Sequence, residues 1–450
     1  MTTFTVEDPA TGEVIAEVAD AGPADGERAL VAAHQAQCGW GRTAPRKRAD
    51  ILYRAYTLLT ERTAEFADLI TREMGKPPAE AQGEVAYAAG FLRWFAEEAS
   101  RISGRFGTAP DGQRRTLVTK RPVGPALLVT PWNFPLAMVT RKVGPAVAAG
   151  CTMILKPAEL TPLTALATAR LFDEAGLPPG VLTVLPTSRP AELVDPLLRD
   201  PRLRKLSFTG STRVGQHLIA ASAEQVLRTS MELGGNAPFL VFDDADLDAA
   251  VEGALVAKLR NGGQSCVAAN RFLVHGAVAD EFVARFGKAM AAATIGPLIS
   301  AAAREKVARL VDSSGATIAV GGNAVPGPGY FFEPTLLTDM PADSAILQEE
   351  IFGPVAPIVT FATEPEAIEL ANATPFGLTA FAYTRDLGRT LRLADELETG
   401  MIGLNTGLVS DPSAPFGGAK LSGLGREGGA EGIDEYLETR YVGIADPYGS

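Results

Sequence analysis

Apolar residues recur at helical spacing through "ADILYRAYTLLTERTAEFADLITREM" (49–74), and the run stops at "GKPP", where glycine and proline close a helix. The segment 79–102, "AEAQGEVAYAAGFLRWFAEEASRI", repeats that pattern, so the first hundred residues are predicted to be mostly helical. A basic stretch with β-branched residues, "RRTLVTKRPVG" (114–124), reads as an extended pair joining two regions. The rhythm then changes to short apolar strands at 126–131, 152–159, 180–186 and 203–211, each followed by a helical pattern. That alternation predicts βαβ units and a parallel sheet, which binds ligands outside the carboxyl ends of its strands. A second α/β region opens at 237–266 with a buried strand, an acidic helix start, a helix of about fifteen residues and a glycine turn. Further strand and helix follow at 381–397.

With 450 residues the chain exceeds the size at which one hydrophobic core stops growing, so two or more domains meeting at a cleft are expected. The net charge of −12 and the absence of a long basic run argue against nucleic acid or an anionic membrane as a partner and for a small molecule. The most apolar region, 123–139, is broken by three prolines and an asparagine and reads as strand and turn, not as a membrane span. The N-terminal stretch has no basic segment followed by an apolar core, and a cytoplasmic protein is expected. Three cysteines, Cys38, Cys151 and Cys266, are too few and scattered for a disulfide framework. His34, His217 and His275 show no metal-ligand spacing, so no metal site is expected.

Four segments carry candidate chemistry. In "RNGGQSCVAANRF" (260–272), glycines allow a tight turn that aims backbone N–H groups at the Cys266 sulfur, one way to stabilise a thiolate without a histidine; a small core cysteine is the plainer reading. "MELGGN" (231–236) sets Glu232 at the boundary of the two α/β regions, where a carboxylate serves as a general base or merely as a capping acid. "SFTGSTRVGQHL" (207–218) follows a strand and opens a helix, with Gly210 and Gly215 bracketing Ser211; that arrangement suits a pyrophosphate, and equally an ordinary strand–turn–helix junction. "LVTPWNFPLAMVTRK" (128–142) holds Asn133 at a strand end, as a donor to an oxyanion or as a turn residue.

Taken in this order with "KPAE" (156–159), "EEIFGPV" (349–355) and "PFGGAKLSGLGRE" (415–427), these segments resemble the aldehyde dehydrogenase superfamily over nearly the whole chain. The resemblance implies an α/β protein with a Rossmann-type cofactor domain (1–112 and 126–232), an α/β catalytic domain (233–432) and a small β extension for oligomerisation (113–125 and 433–450). It implies that Cys266 attacks an aldehyde, that Asn133 and the cysteine's own N–H hold the oxyanion, and that Glu232 activates the water that hydrolyses the thioester. It places Thr130, Pro131, Trp132, Lys156, Glu159, Gly210, Ser211, Gly215, Glu350 and Phe352 around a nicotinamide cofactor. A carboxylate at Glu159 accepts from ribose hydroxyls and repels a 2′-phosphate, so NAD is preferred, with NADP as the alternative.

Within the superfamily the resemblance is strongest to the members that oxidise succinate semialdehyde. It rests on Arg141, Arg260 and Ser410, which match the residues that bind the distal carboxylate of that substrate, with Phe416 beside them. Guanidinium groups grip carboxylates through paired, charge-assisted hydrogen bonds. Glutarate semialdehyde, or another aldehyde, is the nearest alternative substrate; a non-redox cysteine hydrolase and an inactive scaffold are the remoter ones. Ala268 occupies a position where some relatives have a second cysteine, so no regulatory disulfide at Cys266 is expected. The run 286–298 lacks an acidic, glycine-containing stretch found in many relatives, which leaves its conformation open. Unpaired strand edges in the extension predict a homodimer or homotetramer.

Overall fold

A computed structural model describes residues 2–448; Met1, Gly449 and Ser450, which end the expected cofactor domain and extension, lie outside the described residues. The helical N-terminal region is there, preceded by an antiparallel hairpin, Thr3–Glu7 with Val14–Ala19. The single helix predicted over 49–74 is two, Pro45–Glu61 and Thr63–Met74, broken at Arg62. Around the break the hydroxyls of Thr57, Thr60 and Thr63 donate to the carbonyls of Tyr53, Tyr56 and Thr60, and such back-bonding competes with the helix ladder. The second helix ends on Gly75 in the left-handed conformation, and the next helix, Pro78–Glu98, starts at proline, as the "GKPP" signal implies.

Two large sheets follow. The first runs in the order Gly423–Leu424, Arg228–Glu232, Lys205–Thr209, Ala126–Val129, Met153–Lys156, Leu182–Val184, and is parallel except at the Gly423–Leu424 edge. Successive strands run outward from Ala126–Val129 to Leu182–Val184, and the chain then returns to add Lys205–Thr209 on the other side. That reversal makes a topological switch point between Ala126–Val129 and Lys205–Thr209, where such sheets open a crevice at the strand carboxyl ends. The second sheet has seven strands, with Ala269–His275 at its centre between Val355–Phe361 and Ala237–Val241. It is parallel apart from its Thr317–Val320 edge.

The basic stretch forms one nine-residue strand, Arg114–Pro122, not a pair within itself. It is flanked by Arg105–Thr108, which the hydrophobic pattern does not signal, and by Leu437–Ala445. Phe106, Tyr441 and Ile444 stand exposed on this three-stranded sheet. Among the described residues no helix is long and apolar enough to cross a membrane, and no group of three or more His, Cys, Asp or Glu could hold a metal ion.

Candidate active site

Three strands of the first sheet deliver their carboxyl ends to one crevice. Ala126–Val129 leads to Thr130, Pro131, Trp132 and Asn133; Met153–Lys156 ends on Lys156 with Glu159 beyond it; Lys205–Thr209 leads to Gly210 and Ser211. Ser211 caps the helix Thr212–Ser222, its hydroxyl accepting from the Val214 N–H. A cavity of about 270 Å³ opens there, lined on one side by Pro131, Trp132, Asn133, Gly210 and Ser211 and on the other by Cys266, Glu350 and Phe352 from the second sheet's loops. Trp132 and Phe352 meet edge to face with ring centroids 5.4 Å apart. Phe352 adopts φ of 56°, a conformation that costs a non-glycine residue about 1 kcal/mol or more and is found where surrounding structure over-determines it.

Four expected cofactor residues, Thr130, Lys156, Glu159 and Gly215, lie outside that lining. Thr130 is buried behind it, its N–H donating to the Lys156 carbonyl at 3.1 Å. Gly215 sits one turn into its helix, where any side chain would collide with Leu233; its smallness serves packing. Lys156, buried, pairs with the half-exposed Glu159 at 3.4 Å on the neighbouring strand end.

Cys266 is half-buried, at the junction between the large cavity and a narrower one of about 20 Å³. The narrow cavity is lined by Arg141, Arg260, Ser410 and Phe416, all four expected substrate residues, together with Tyr87 and Phe134. The Arg141 guanidinium lies 4.2 Å from the Phe416 ring centroid, and Arg260 lies 4.9 Å from that of Phe134. Both cations therefore rest on aromatic faces, which orient a guanidinium while leaving its edge free for an anion. Tyr87 escaped the sequence reading because it sits in an ordinary helical stripe; its hydroxyl is within hydrogen-bonding reach of Ser410 and Arg141.

The glycines before Cys266 shape the loop that carries it. Asn261, Gly262 and Gly263 all have positive φ, and Gly263 passes so close to the Gly353 and Lys258 carbonyls that a side chain would not fit. They bend the chain, and the cysteine's own N–H is one of the groups that lower the thiol. Burial pushes the Cys266 thiol up to about 12, the Arg141 guanidinium pulls it back down, and the charges of Glu350 and Glu232 push with burial.

The shortened run before "TIGPL" ends as part of the same support. The Gln264 side chain donates to the Pro297 carbonyl at 3.2 Å and accepts from the Ile299 N–H at 2.8 Å. Asn133 is buried, its Nδ2 donating to the Gln264 carbonyl at 3.1 Å, its Oδ1 without a partner among the described residues. One amide N–H of Asn133 is thus committed and the second is free.

Glu232, at the end of its strand, lines neither cavity. Its carboxyl is buried beside Gly417 with both oxygens unpartnered among the described residues. Burial and then the charge of Glu427 hold it well above the ordinary carboxylate range, against the pull of Arg141, Lys142 and Arg426. Glu427, which the sequence reading did not single out, forms an ion pair with Arg141 Nε at 2.7 Å and another with Lys142. Those two cations keep Glu427 ionised in spite of its burial. Glu350 accepts from the Gly235 N–H at 3.1 Å, and burial raises it to about 7.

The aldehyde dehydrogenase family model matches residues 1–442. The chain is 58% identical over 448 residues to a succinate-semialdehyde dehydrogenase of Paenarthrobacter nicotinovorans, covering 97% of this chain and 100% of that one. It is 49% identical to a glutarate-semialdehyde dehydrogenase of Pseudomonas aeruginosa, over 98% of this chain and 94% of that one. A solved structure described as an E. coli NADP dependent enzyme is 46% identical and superposes with a TM-score of 0.97, covering 99% of this chain and 95% of that one.

The thiol's electrostatics are testable on the free protein. In a Cys38→Ser background, alkylation of Cys266 by iodoacetamide should keep accelerating past about pH 9, where an ordinary thiol levels off. Arg141→Met removes the cation that lowers the thiol and should slow the reaction at every pH below that; a variant as fast as its parent would refute the assignment.

Proposed function

The chain belongs to the aldehyde dehydrogenase family, and we propose that within it the protein oxidises succinate semialdehyde to succinate, taking NAD in preference to NADP. As a member of that family it is an oxidoreductase that acts on an aldehyde with a nicotinamide cofactor. One observation carries the choice of substrate: a narrow cavity holding Arg141, Arg260 and Ser410 opens directly beside Cys266. A short aldehyde with a terminal carboxylate fits such a place, carbonyl at the sulfur and anion at the guanidinium groups. The greater identity to the succinate-semialdehyde relative favours the shorter chain over glutarate semialdehyde.

The large cavity supports nicotinamide binding by its build. It lies at the strand carboxyl ends of a switch point, with a helix N-terminus behind Gly210 and Ser211, where backbone donors face a pyrophosphate. In this reading Lys156 and Glu159 take the adenine-side ribose, and Glu350 with Phe352 takes the nicotinamide side. A bound nicotinamide supplies the hydride acceptor for the oxidation. NADP remains the second reading because of the similarity to an NADP dependent enzyme, and because Lys156 next to Glu159 offers a cation to a 2′-phosphate.

The protein's own groups do the rest. Cys266 Sγ gives up its proton to solvent water in the large cavity and bonds to the aldehyde carbon, and the oxygen that becomes negative accepts from the free Asn133 N–H and from the N–H of Cys266. After oxidation the carbon is held as a thioester, and a water deprotonated by Glu232 displaces the sulfur to release the acid. Glu232 has to turn from Gly417 toward Cys266 to do this. Among the described residues its carboxyl has no hydrogen bond to break, and a raised carboxyl, once ionised, is a stronger base than an ordinary one. The free edge at Met401–Leu404, the edge at Leu437–Ala445 and the exposed Phe106, Tyr441 and Ile444 support assembly into a homodimer or homotetramer.

NADH formation should be fastest with succinate semialdehyde, slower with glutarate semialdehyde and slowest with butanal. Arg260→Ala is the cleaner probe of the anion site, since Arg141 also neutralises Glu427. It should lower kcat/KM for the acidic aldehydes by about 10²-fold, the loss of two charge-assisted hydrogen bonds, and change butanal turnover by only about twofold. Equal loss across all three aldehydes would remove the anion site from the argument. Glu159→Gln removes the carboxylate that repels a 2′-phosphate, so it should raise kcat/KM with NADP relative to NAD; an unchanged ratio assigns cofactor choice elsewhere.

Glu232 must be ionised to act as a base, and because burial and the charge of Glu427 raise its carboxyl, the active form grows as pH rises; kcat should climb with pH at values above those at which an ordinary carboxylate ionises. Glu232→Gln should flatten that climb and lower kcat by about 10²- to 10⁴-fold, leaving a burst of one NADH per site. A variant that keeps the wild-type profile would exclude Glu232 as the base.

A further inference from the structure

The segment "GKPPAEAQGE" (75–84) ends one helix and begins the next, and three of its charged residues face inward. Lys76 and Glu84 are 2% and 1% exposed and form an ion pair with each other. Each is then used to the full. The Lys76 ammonium donates to Glu84 and, at 2.7 Å, to the Asn133 carbonyl, and its third side faces the Phe134 ring, with the centroid 3.7 Å away. The second oxygen of Glu84 accepts from the N–H groups of Leu136 at 2.9 Å and Ala137 at 3.2 Å. The pair therefore grips the backbone on both sides of Pro135, at the carbonyl of Asn133 and at the first turn of the helix Ala137–Ala149 that carries Arg141.

One turn earlier on the same helix, Glu80 accepts from the Asn261 N–H at 2.7 Å, and the Asn261 side chain donates to the Asn133 carbonyl at 2.9 Å and to the Gln264 carbonyl at 3.1 Å. A single helix end thus holds both the loop that presents Asn133 and the loop that presents Cys266.

We infer that Lys76 and Glu84 are positioning residues, whose buried ion pair sets where the Asn133 amide stands relative to Cys266 and so acts on turnover and not on substrate binding. The inference rests on the reading of Asn133 as a donor to the oxyanion. Stability alone is a poor reason for such a pair, because well-packed apolar side chains in its place are often at least as stabilising. Apolar groups, however, cannot direct one carbonyl and two N–H groups at once. Nor is the pair suited to tuning the thiol, since its two charges cancel. Its remaining effect is geometric: a donor displaced by a fraction of an ångström no longer meets the oxygen as charge develops on it.

The test compares Lys76→Met/Glu84→Gln, which leaves no buried charge unpaired, with Asn133→Ala and with the triple variant. The double variant should retain KM for aldehyde and NAD within about twofold and lose about 10²-fold in kcat, the scale of a 1 Å misplacement. The pH dependence of Cys266 alkylation should not move. In the Asn133→Ala background the same two changes should cost no more than about twofold further, because they act through the amide already removed. If the double variant does not fold, Glu84→Asp, which keeps both charges and withdraws the carboxylate from Leu136 and Ala137 by one methylene, serves in the same comparison. Losses that multiply, an unchanged kcat in the double variant, or a shifted alkylation profile would overturn the positioning role. Wild-type kcat in Asn133→Ala would instead overturn the role assigned to Asn133 itself, so the two failures are distinguishable.

Discussion

Two backbone carbonyls, those of Asn133 and Gln264, bind together loops that leave different sheets. Asn133 donates its side-chain N–H to the Gln264 carbonyl, and Asn261 donates to both carbonyls at once. Without this link the crevice of the first sheet and the glycine turn before Cys266 would be two surfaces facing each other with no shared hydrogen bonds. With it they share one set of hydrogen bonds, and the reactive sulfur keeps a fixed relation to the amide across from it. Buried amides and carbonyls are costly to leave unpaired, so the link is also hard to pull apart.

The second constraint is electrostatic. Burial raises the thiol of Cys266, the carboxyl of Glu232 and the carboxyl of Glu350, and in each case it is the largest cause. The one strong correction comes from the Arg141, Lys142 and Glu427 cluster, in which Glu427 keeps its charge because two cations hold it. Arg141 therefore has two sides. Its Nε is tied to Glu427, which fixes the guanidinium in place, while the side facing the narrow cavity bears on Cys266 and on whatever anion enters. A thiol held that high is chemically quiet at rest, which protects a nucleophile in a cavity open to solvent; the cost is that its proton has to move during turnover.

Much of this was legible along the chain. The alternation of apolar strands with helical patterns marked the first sheet, because buried parallel strands are short, continuous and apolar, and each strand end fell within a few residues of its predicted place. The four segments with candidate chemistry stood out for the same reason: glycine, proline and amide residues break the pattern where a strand ends. The helix break at Arg62 and the strand Arg105–Thr108 did not stand out. One depends on hydroxyls bonding back to carbonyls, the other on pairing with a strand that neither its composition nor its spacing announces.

What the sequence hid at the site is of one kind. Tyr87, Glu427, Lys76 and Glu84 lie on helical stripes or in turns where a phenol or a charge is unremarkable, and each acquires its role only through a residue far away in the chain. Glu84 meets the Leu136 N–H 52 residues on, and Lys142 meets Glu427 across 285. Local pattern cannot register such pairs, since spacing informs only about neighbours on the same element. The converse case is equally instructive: the glycines before Cys266 were visible, but their purpose was not. Backbone freedom shows that a chain turns sharply; only the Gly353 and Lys258 carbonyls packed against Gly263 show that the turn also brings two loops into contact.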